Sequence, residues 1–155
     1  MHLHAGVSST FEYPHDRLLE LRGFIQEDEM RNPDVVDHDG EWRFLVIKNG
    51  IATRVTIGCA TGIFSYVREY FNNGARETSS EWAILPYDNE SGAFSAPGDS
   101  GSVIVDGRGR LGGLLTGGSG KPESLDITYA TPIFWLLQRI KQNGFPDAYP
   151  YPATA

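Results

Sequence analysis

A series of short β-rich segments between residues 42 and 130 limits the fold of this chain more than any other feature. They read "WRFLVIK", "IATRVTIG", "GIFSYVREYF", "EWAILPY", "GSVIV", "RLGGLLTG" and "DITYA". Each is rich in β-branched or aromatic residues and is bounded by turn-forming residues. Asn49-Gly50 and Asp106-Gly107 predict two tight hairpin turns, because these residue types tolerate positive φ. The pattern therefore predicts a mostly β core.

A single helix is predicted after these segments, with Thr131 as its N-cap, Pro132 as its first residue and its end near Gly144. Its apolar residues recur at the spacing of one helix face, and they are Ile133, Leu136, Leu137 and Ile140. We expect this face to pack on the β core. The prolines of residues 145–155 prevent the helix from continuing, so we expect a proline-rich tail on the surface.

The length of 155 residues suits one domain and is short for two. We predict an incomplete N-terminal segment at residues 1–40, the β core with its helix at 41–144, and the tail at 145–155. Residues 1–40 are too few to close a barrel of their own, which indicates a linker or the remnant of another barrel.

Composition excludes several classes of function. Acidic residues outnumber basic ones by 20 to 13, giving a net charge of -7 without a run of Lys and Arg, so no nucleic-acid partner is expected. We expect no signal peptide, and no stretch approaches the ~20 apolar residues of a membrane span, which predicts a soluble protein with no membrane partner. The single cysteine, Cys59, favours a reducing, cytoplasmic compartment and is predicted to be buried.

No metal and no cofactor are predicted. His2 and His4 lack further ligands at a spacing that would complete a metal site. The segment "GRGRLG" is followed by a poor helix, and "GGSGKPES" lacks the first glycine and the hydroxyl residue of a phosphate loop. The first segment is predicted to be a turn within a β-hairpin, and the second is not predicted to be a phosphate loop.

The turn around Ser100 carries the candidate chemistry. Gly98 and Gly101 flank Asp99 and Ser100 and allow the backbone to turn sharply. Such a turn can aim backbone N–H groups at one point, the arrangement that stabilises the oxyanion of an acyl transfer. Ser100 is therefore either a nucleophile or one more small residue in a glycine-rich turn.

The order of these features resembles the C-terminal barrel of trypsin-like serine peptidases over about residues 42–143. The family's G-D-S-G-G motif is matched by "GDSGS" at residues 98–102, where Ser102 replaces the last glycine. The resemblance implies a mostly β chain, a trypsin-like six-stranded antiparallel β-barrel that forms the C-terminal half of the double-barrel fold, with a C-terminal α-helix. The chain is also similar to uncharacterised fungal proteins that contain "APGDSGS".

The same resemblance implies roles for the residues of this turn. Ser100 would be the catalytic nucleophile, and the N–H groups of Ser100 and Gly98 would form the oxyanion hole. Asp99 would orient the loop, or it would only cap a turn.

The resemblance also implies a peptide or protein substrate. The substrate would pair as an added strand with Thr116, Gly117 and Gly118. Phe94 would lie at the base of the pocket for the substrate side chain, where it would disfavour a cation.

Ser100 needs a base to activate it, and no histidine of this sequence lies in the setting where the family has its catalytic histidine. The family takes a histidine and an aspartate from the first barrel, whereas the histidines here are His2, His4, His15 and His38. They are expected to be surface residues, with His15 or His38 as the alternative base. We therefore predict a serine endopeptidase-type fragment that lacks its catalytic His and Asp, is inactive when isolated, and has an upstream first barrel as its partner. The alternative is a non-catalytic peptide-binding or structural barrel.

Overall fold

The computed structural model describes residues 15, 18–36, 40–88, 90–119 and 127–151. The elements in chain order are α1 (Glu27–Arg31), β1 (Val35–Val36), β2 (Trp42–Gly50), β3 (Arg54–Tyr70), β4 (Arg76–Pro86), β5 (Val103–Asp106), β6 (Leu111–Ser119), β7 (Ile127–Pro132) and α2 (Ile133–Gln142). Within these ranges, no helix is long and apolar enough to cross a membrane.

Six strands form a closed antiparallel ring in the order β2–β3–β4–β7–β6–β5. Strand β5 closes the ring by pairing back to β2, with Ile47 opposite Val105. The short strand β1 pairs with β2 beside the ring. The structure confirms the predicted mostly β fold, a six-stranded antiparallel barrel with a C-terminal α-helix.

The barrel interior is filled by side chains from alternate strand positions, as the pleat of a β-strand requires. Trp82 lies fully buried at its centre and contacts Phe44 edge to face, with 6.0 Å between the ring centroids. A Cβ atom at Gly112 would lie 2.6 Å from the Trp82 ring. The glycine on β6 therefore leaves the space that the indole fills.

A second apolar cluster lies on the outer face of the barrel. Ile47, Val105 and Leu111 point outward there and are covered by Leu19, Phe24, Ile133 and Tyr151. The hydroxyl of Tyr151 also donates to the carbonyl of Gly23. The N-terminal segment, the start of α2 and the tail therefore meet on one side of the barrel.

Residues 18–36 are a packed layer of the domain. Ile25 and Met30 are fully buried and belong to the main core. Phe24 forms a parallel bridge with Leu111, whose backbone N–H donates to Gly23. The described part of the predicted N-terminal segment thus covers the barrel, while its boundary at residue 40 and its origin in a first barrel stay predictions.

The first hairpin turn lies at residues 51–53, and the prediction of a turn at Asn49-Gly50 was wrong. Gly50 is instead paired with Arg54, which has a φ of 62°. The carboxylate of Asp99 accepts hydrogen bonds from the backbone N–H groups of Ala52 and Thr53. This distant side chain fixes a turn that local propensity did not predict.

The N-cap of the final helix also differs from the prediction. Pro132 is the N-cap, while Thr131 lies in β7 and its hydroxyl donates to Glu81 Oε2 at 2.9 Å. A threonine hydroxyl used in this way is not available to cap the helix. Leu137 is buried as expected, and the helix ends one residue before its C-cap at Asn143.

Strand β3 joins two segments that the sequence indicated separately, with a register shift between Ala60 and Phe64. Cys59, before the shift, is buried as predicted. After it, residues 65–70 pair with residues 76–81 as a two-stranded ribbon, called the β3–β4 ribbon below.

Candidate functional site

The loop before β5 holds Ser100 in a tight turn. Gly98 and Gly101 have φ values of 105° and 84°, a region that favours glycine because it has no Cβ. The N–H of Asp99 donates to the carbonyl of Ala96 at 3.0 Å. Ser100 is exposed between the two glycines.

Two backbone N–H groups of this turn, those of Gly98 and Ser100, have no hydrogen-bond acceptor among the described residues. Those of Asp99, Gly101 and Ser102 donate to backbone carbonyls, whereas those of Gly98 and Ser100 donate to none of the described residues. Free donors on either side of a buried aspartate can bind a carbonyl oxygen that becomes negative. They are the two donors that the sequence analysis singled out.

Asp99 ties the loop to the β2–β3 turn. Its carboxylate is fully buried. Oδ1 accepts from the N–H groups of Ala52 at 2.8 Å and Thr53 at 3.3 Å. Oδ2 accepts from the Thr53 hydroxyl at 2.6 Å and from the N–H of Ala96 at 3.1 Å. Asp99 therefore both caps its own turn and fixes it to a second one.

Lys48 neutralises this carboxylate inside the barrel. Its Nζ lies 3.1 Å from Asp99 Oδ2, and both side chains are fully buried. The ammonium also donates to the Thr53 hydroxyl and, at 3.4 Å, to the carbonyl of Arg54. Sequence analysis missed Lys48. The signal was that Lys48 continues the inward-facing row of Phe44 and Val46 on β2, a position where an ammonium requires a buried counter-charge.

The pKa of Asp99 lies well below its ordinary value. Burial alone would raise it, but the hydrogen bonds from Thr53, from the Ala52 and Ala96 N–H groups and from Lys48 outweigh that effect. Asp99 is therefore an anion at neutral pH, and its contacts with the two turns persist.

An open strand edge begins beside the turn. Leu115 exchanges hydrogen bonds with the loop, accepting from Gly101 at 2.7 Å and donating to Ser102 at 3.0 Å. Beyond Leu115, residues 116–119 pair only with β7 among the described residues. Among the described residues, a Cβ atom at Gly117 would meet nothing within 4 Å. The described residues therefore leave room for an extended peptide along this edge.

The other predicted substrate-binding residues have different surroundings. Thr116 is exposed at a register shift, and its hydroxyl donates to the carbonyl of Tyr129. Gly118 is exposed on the same edge. Phe94 is only 1% exposed, and its ring centroid lies 5.5 Å from Lys48 Nζ. Its role at the base of a pocket stays a prediction.

No described side chain activates Ser100. Its hydroxyl makes no hydrogen bond with any residue in the described ranges. His15 is exposed, and His2, His4 and His38 lie outside the described residues. The described residues also contain no group of three or more His, Cys, Asp or Glu that could hold a metal ion.

Comparison with known proteins adds a likeness to solved structures. No family model matches the chain, and no curated protein matches it. A chymotrypsin from Cellulomonas bogoriensis is similar in structure, with 24% sequence identity and a TM-score of 0.46. The match covers 63% of this chain and 46% of that one. The chain thus matches less than half the length of that enzyme, and a likeness at this level carries no inference about chemistry.

Proposed function

We propose that residues 98–102 form the nucleophile turn of a serine endopeptidase-type hydrolase, with Ser100 as the residue that is acylated. The observation that carries the proposal is that the N–H groups of Gly98 and Ser100, beside an exposed hydroxyl, have no acceptor among the described residues. The open edge of β6 next to Gly101 supports it, because a peptide paired there would pass the hydroxyl.

The reaction would proceed by acyl transfer. Ser100 Oγ attacks the substrate carbonyl carbon while a base takes the hydroxyl proton, and the N–H groups of Gly98 and Ser100 bind the resulting oxyanion. The C–N bond then breaks, the amine leaves with the proton from the base, and water hydrolyses the acyl-Ser100 ester. Lys48 and Asp99 act earlier, because they hold the turn before substrate arrives.

The base is the incomplete part of this proposal. A serine hydroxyl is a weak nucleophile near neutral pH without one. We assign the base and its orienting carboxylate to a first barrel upstream in a longer chain, with His15 or His38 as the alternative within these 155 residues. The 155-residue chain should then react slowly by itself.

A non-catalytic peptide-binding barrel is the second candidate. It is favoured by the absence of any hydrogen-bond partner for the Ser100 hydroxyl among the described residues. In that case a peptide would pair with residues 116–118 and Ser100 would remain inert.

Labelling with a fluorophosphonate separates the two candidates. A folded chain extended upstream by a complete first barrel should be labelled rapidly at Ser100, as located by mass spectrometry. Ser100→Ala should abolish the labelling, and Ser102→Ala, a serine in the same turn, should preserve it. Unchanged labelling of Ser100→Ala would refute the nucleophile assignment. No labelling of the extended chain would favour the binding barrel, and rapid labelling of the 155-residue chain that is lost in His15→Ala or His38→Ala would place the base there.

A further inference from the structure

The β3–β4 ribbon leaves the barrel without a third strand. Six residue pairs form it, from Ser65 opposite Glu81 to Tyr70 opposite Arg76. Along residues 65–70 and 76–81, no described strand pairs with either outer edge. Two-stranded ribbons are marginally stable alone, and a third strand is what stabilises them. The unpaired N–H and C=O groups of residues 65–70 are a template for such a strand.

One face of the ribbon combines aromatic and cationic side chains. Tyr66, Arg68 and Tyr70 alternate along β3 and share a face, because successive side chains of a strand point to opposite sides. Arg76 joins them from β4, directly opposite Tyr70. The two tyrosines are 81% and 75% exposed. Exposed Tyr and Arg side chains are the types that supply most binding energy at protein interfaces.

The opposite face carries negative charge. Glu69 and Glu77 lie directly opposite each other, and like charges at such positions destabilise a strand pair. Neither glutamate, nor Arg68 or Arg76, is within ion-pair distance of an opposite charge in the described ranges. Among the described residues, the guanidinium of Arg68 donates only to the Thr78 hydroxyl, at 3.2 Å. The two faces therefore have opposite charge.

We propose that this ribbon binds an extended acidic peptide of another protein, which adds as a third strand along residues 65–70. Acidic residues at every second position of that peptide lie on the face of Arg68 and Arg76, where a guanidinium can bind a carboxylate through two hydrogen bonds. Their repeat of about 7 Å equals the spacing of Tyr66, Arg68 and Tyr70 along β3.

The face that carries Glu69 and Glu77 determines which positions of the peptide can be acidic. An acidic residue beside Glu69 would be repelled, so the intervening positions must be uncharged or basic. The ribbon should therefore bind a peptide with acidic residues at every second position more tightly than one that is acidic at every position. The free main-chain edge favours a polypeptide over an anionic polysaccharide, which has no strand of N–H and C=O groups to offer. This inference is independent of the proposed hydrolase activity, because the ribbon shares no residue with the Ser100 turn.

Fluorescence anisotropy with a labelled (Glu-Thr)6 peptide tests the proposal on the full chain. We expect saturable binding that weakens as salt is raised. Arg68→Ser/Arg76→Ser should lower the affinity at least tenfold, while Glu69→Gln/Glu77→Gln, the matched change on the other face, should keep or increase it. Bound peptide should slow hydrogen exchange of N–H groups within residues 65–70. Circular dichroism establishes that each variant is folded.

Several results would overturn the proposal. They are no saturable binding, equal binding of a (Lys-Thr)6 peptide, and unchanged affinity in the folded arginine variant. Tighter binding of a heparin hexasaccharide than of the peptide would assign the face to a sulfated polysaccharide instead. Ser100→Ala should bind the peptide normally, so a failed labelling experiment at Ser100 leaves this result unaffected.

Discussion

Lys48→Met removes the ammonium that faces Asp99 and keeps most of the side-chain volume. The two charged atoms are 3.1 Å apart, and neither side chain is exposed to solvent. After the change, Asp99 keeps hydrogen bonds from Ala52, Thr53 and Ala96 but has no counter-charge. Loss of one partner of a buried ion pair costs about 3–5 kcal/mol. The remaining hydrogen bonds place the expected loss near the lower limit.

Urea denaturation followed by circular dichroism measures this loss. With a slope of about 2 kcal/mol per M, a loss of about 3 kcal/mol lowers the midpoint by about 1.5 M. The double variant Lys48→Met/Asp99→Asn leaves no buried charge unpaired, so it should recover roughly half of the loss or more. Lys141→Met, at the exposed end of α2, is the control and should stay within about 0.5 kcal/mol of the parent.

A loss of less than about 1 kcal/mol in Lys48→Met, the scale of an ordinary substitution, would contradict the predicted role of this ion pair. A double variant less stable than Lys48→Met would contradict it as well. Either result would mean that the Asp99 carboxylate does not need the ammonium. The turn around Ser100 would then be held by hydrogen bonds alone.

Further expected outcomes concern the same turn, the helix and the glycines. Because the pKa of Asp99 is lower in the folded chain than its ordinary value of 3.8, its stabilising effect is present above about pH 4 and declines as the pH falls toward the folded pKa. Asp99→Asn should therefore lose less stability than the parent in urea titrations below about pH 4, and equal losses would contradict this. Leu137→Asp should destabilise the domain by several kcal/mol through a buried, unpaired charge, whereas Gln138→Ser should be nearly silent; equal effects in a denaturant titration would show that α2 is not docked through Leu137. Gly112→Ala should cost about 1–3 kcal/mol because its Cβ would overlap the central indole ring, and Gly117→Ala, which meets nothing within 4 Å, should leave the thermal midpoint nearly unchanged.

The parts of the fold that sequence predicted are those encoded locally. The β-branched segments predicted the barrel strands, and the apolar stripe predicted the burial of Leu137 in α2, although Ile140 of the same stripe is exposed. The errors have distant causes. The first hairpin turn lies not at residues 49–50 but at 51–53, where the Asp99 carboxylate accepts hydrogen bonds from the backbone of the turn. The hydroxyl of Thr131, which was expected to cap the helix, donates to Glu81 instead. Neither contact is visible in a local window of sequence.

In the candidate site, too, the features encoded locally could be predicted and those that depend on distant contacts could not. The glycines at 98 and 101 and the intervening Asp99-Ser100 pair are adjacent in the chain, so the turn could be identified from them alone. Lys48 could not be assigned to Asp99, because only closure of the barrel brings the strand that carries it to the loop. Its pairing with a buried carboxylate is a tertiary contact, which no spacing in the sequence indicates.

The register shift in β3 limits how the length of this strand can vary. Between the pair Ala60–Ile84 and the pair Phe64–Trp82, β3 advances four residues while β4 advances two. The strand thus contains two extra residues, an even number, and its alternation of sides is preserved across the irregularity. Deletion of one residue within 61–63 would move every later side chain of β3 to the opposite face of the strand. Glu69 would then lie on the face where Tyr66, Arg68 and Tyr70 now lie. Deletion of two would remove the bulge and leave both faces as they are, so natural variants of this stretch should differ in length by pairs of residues.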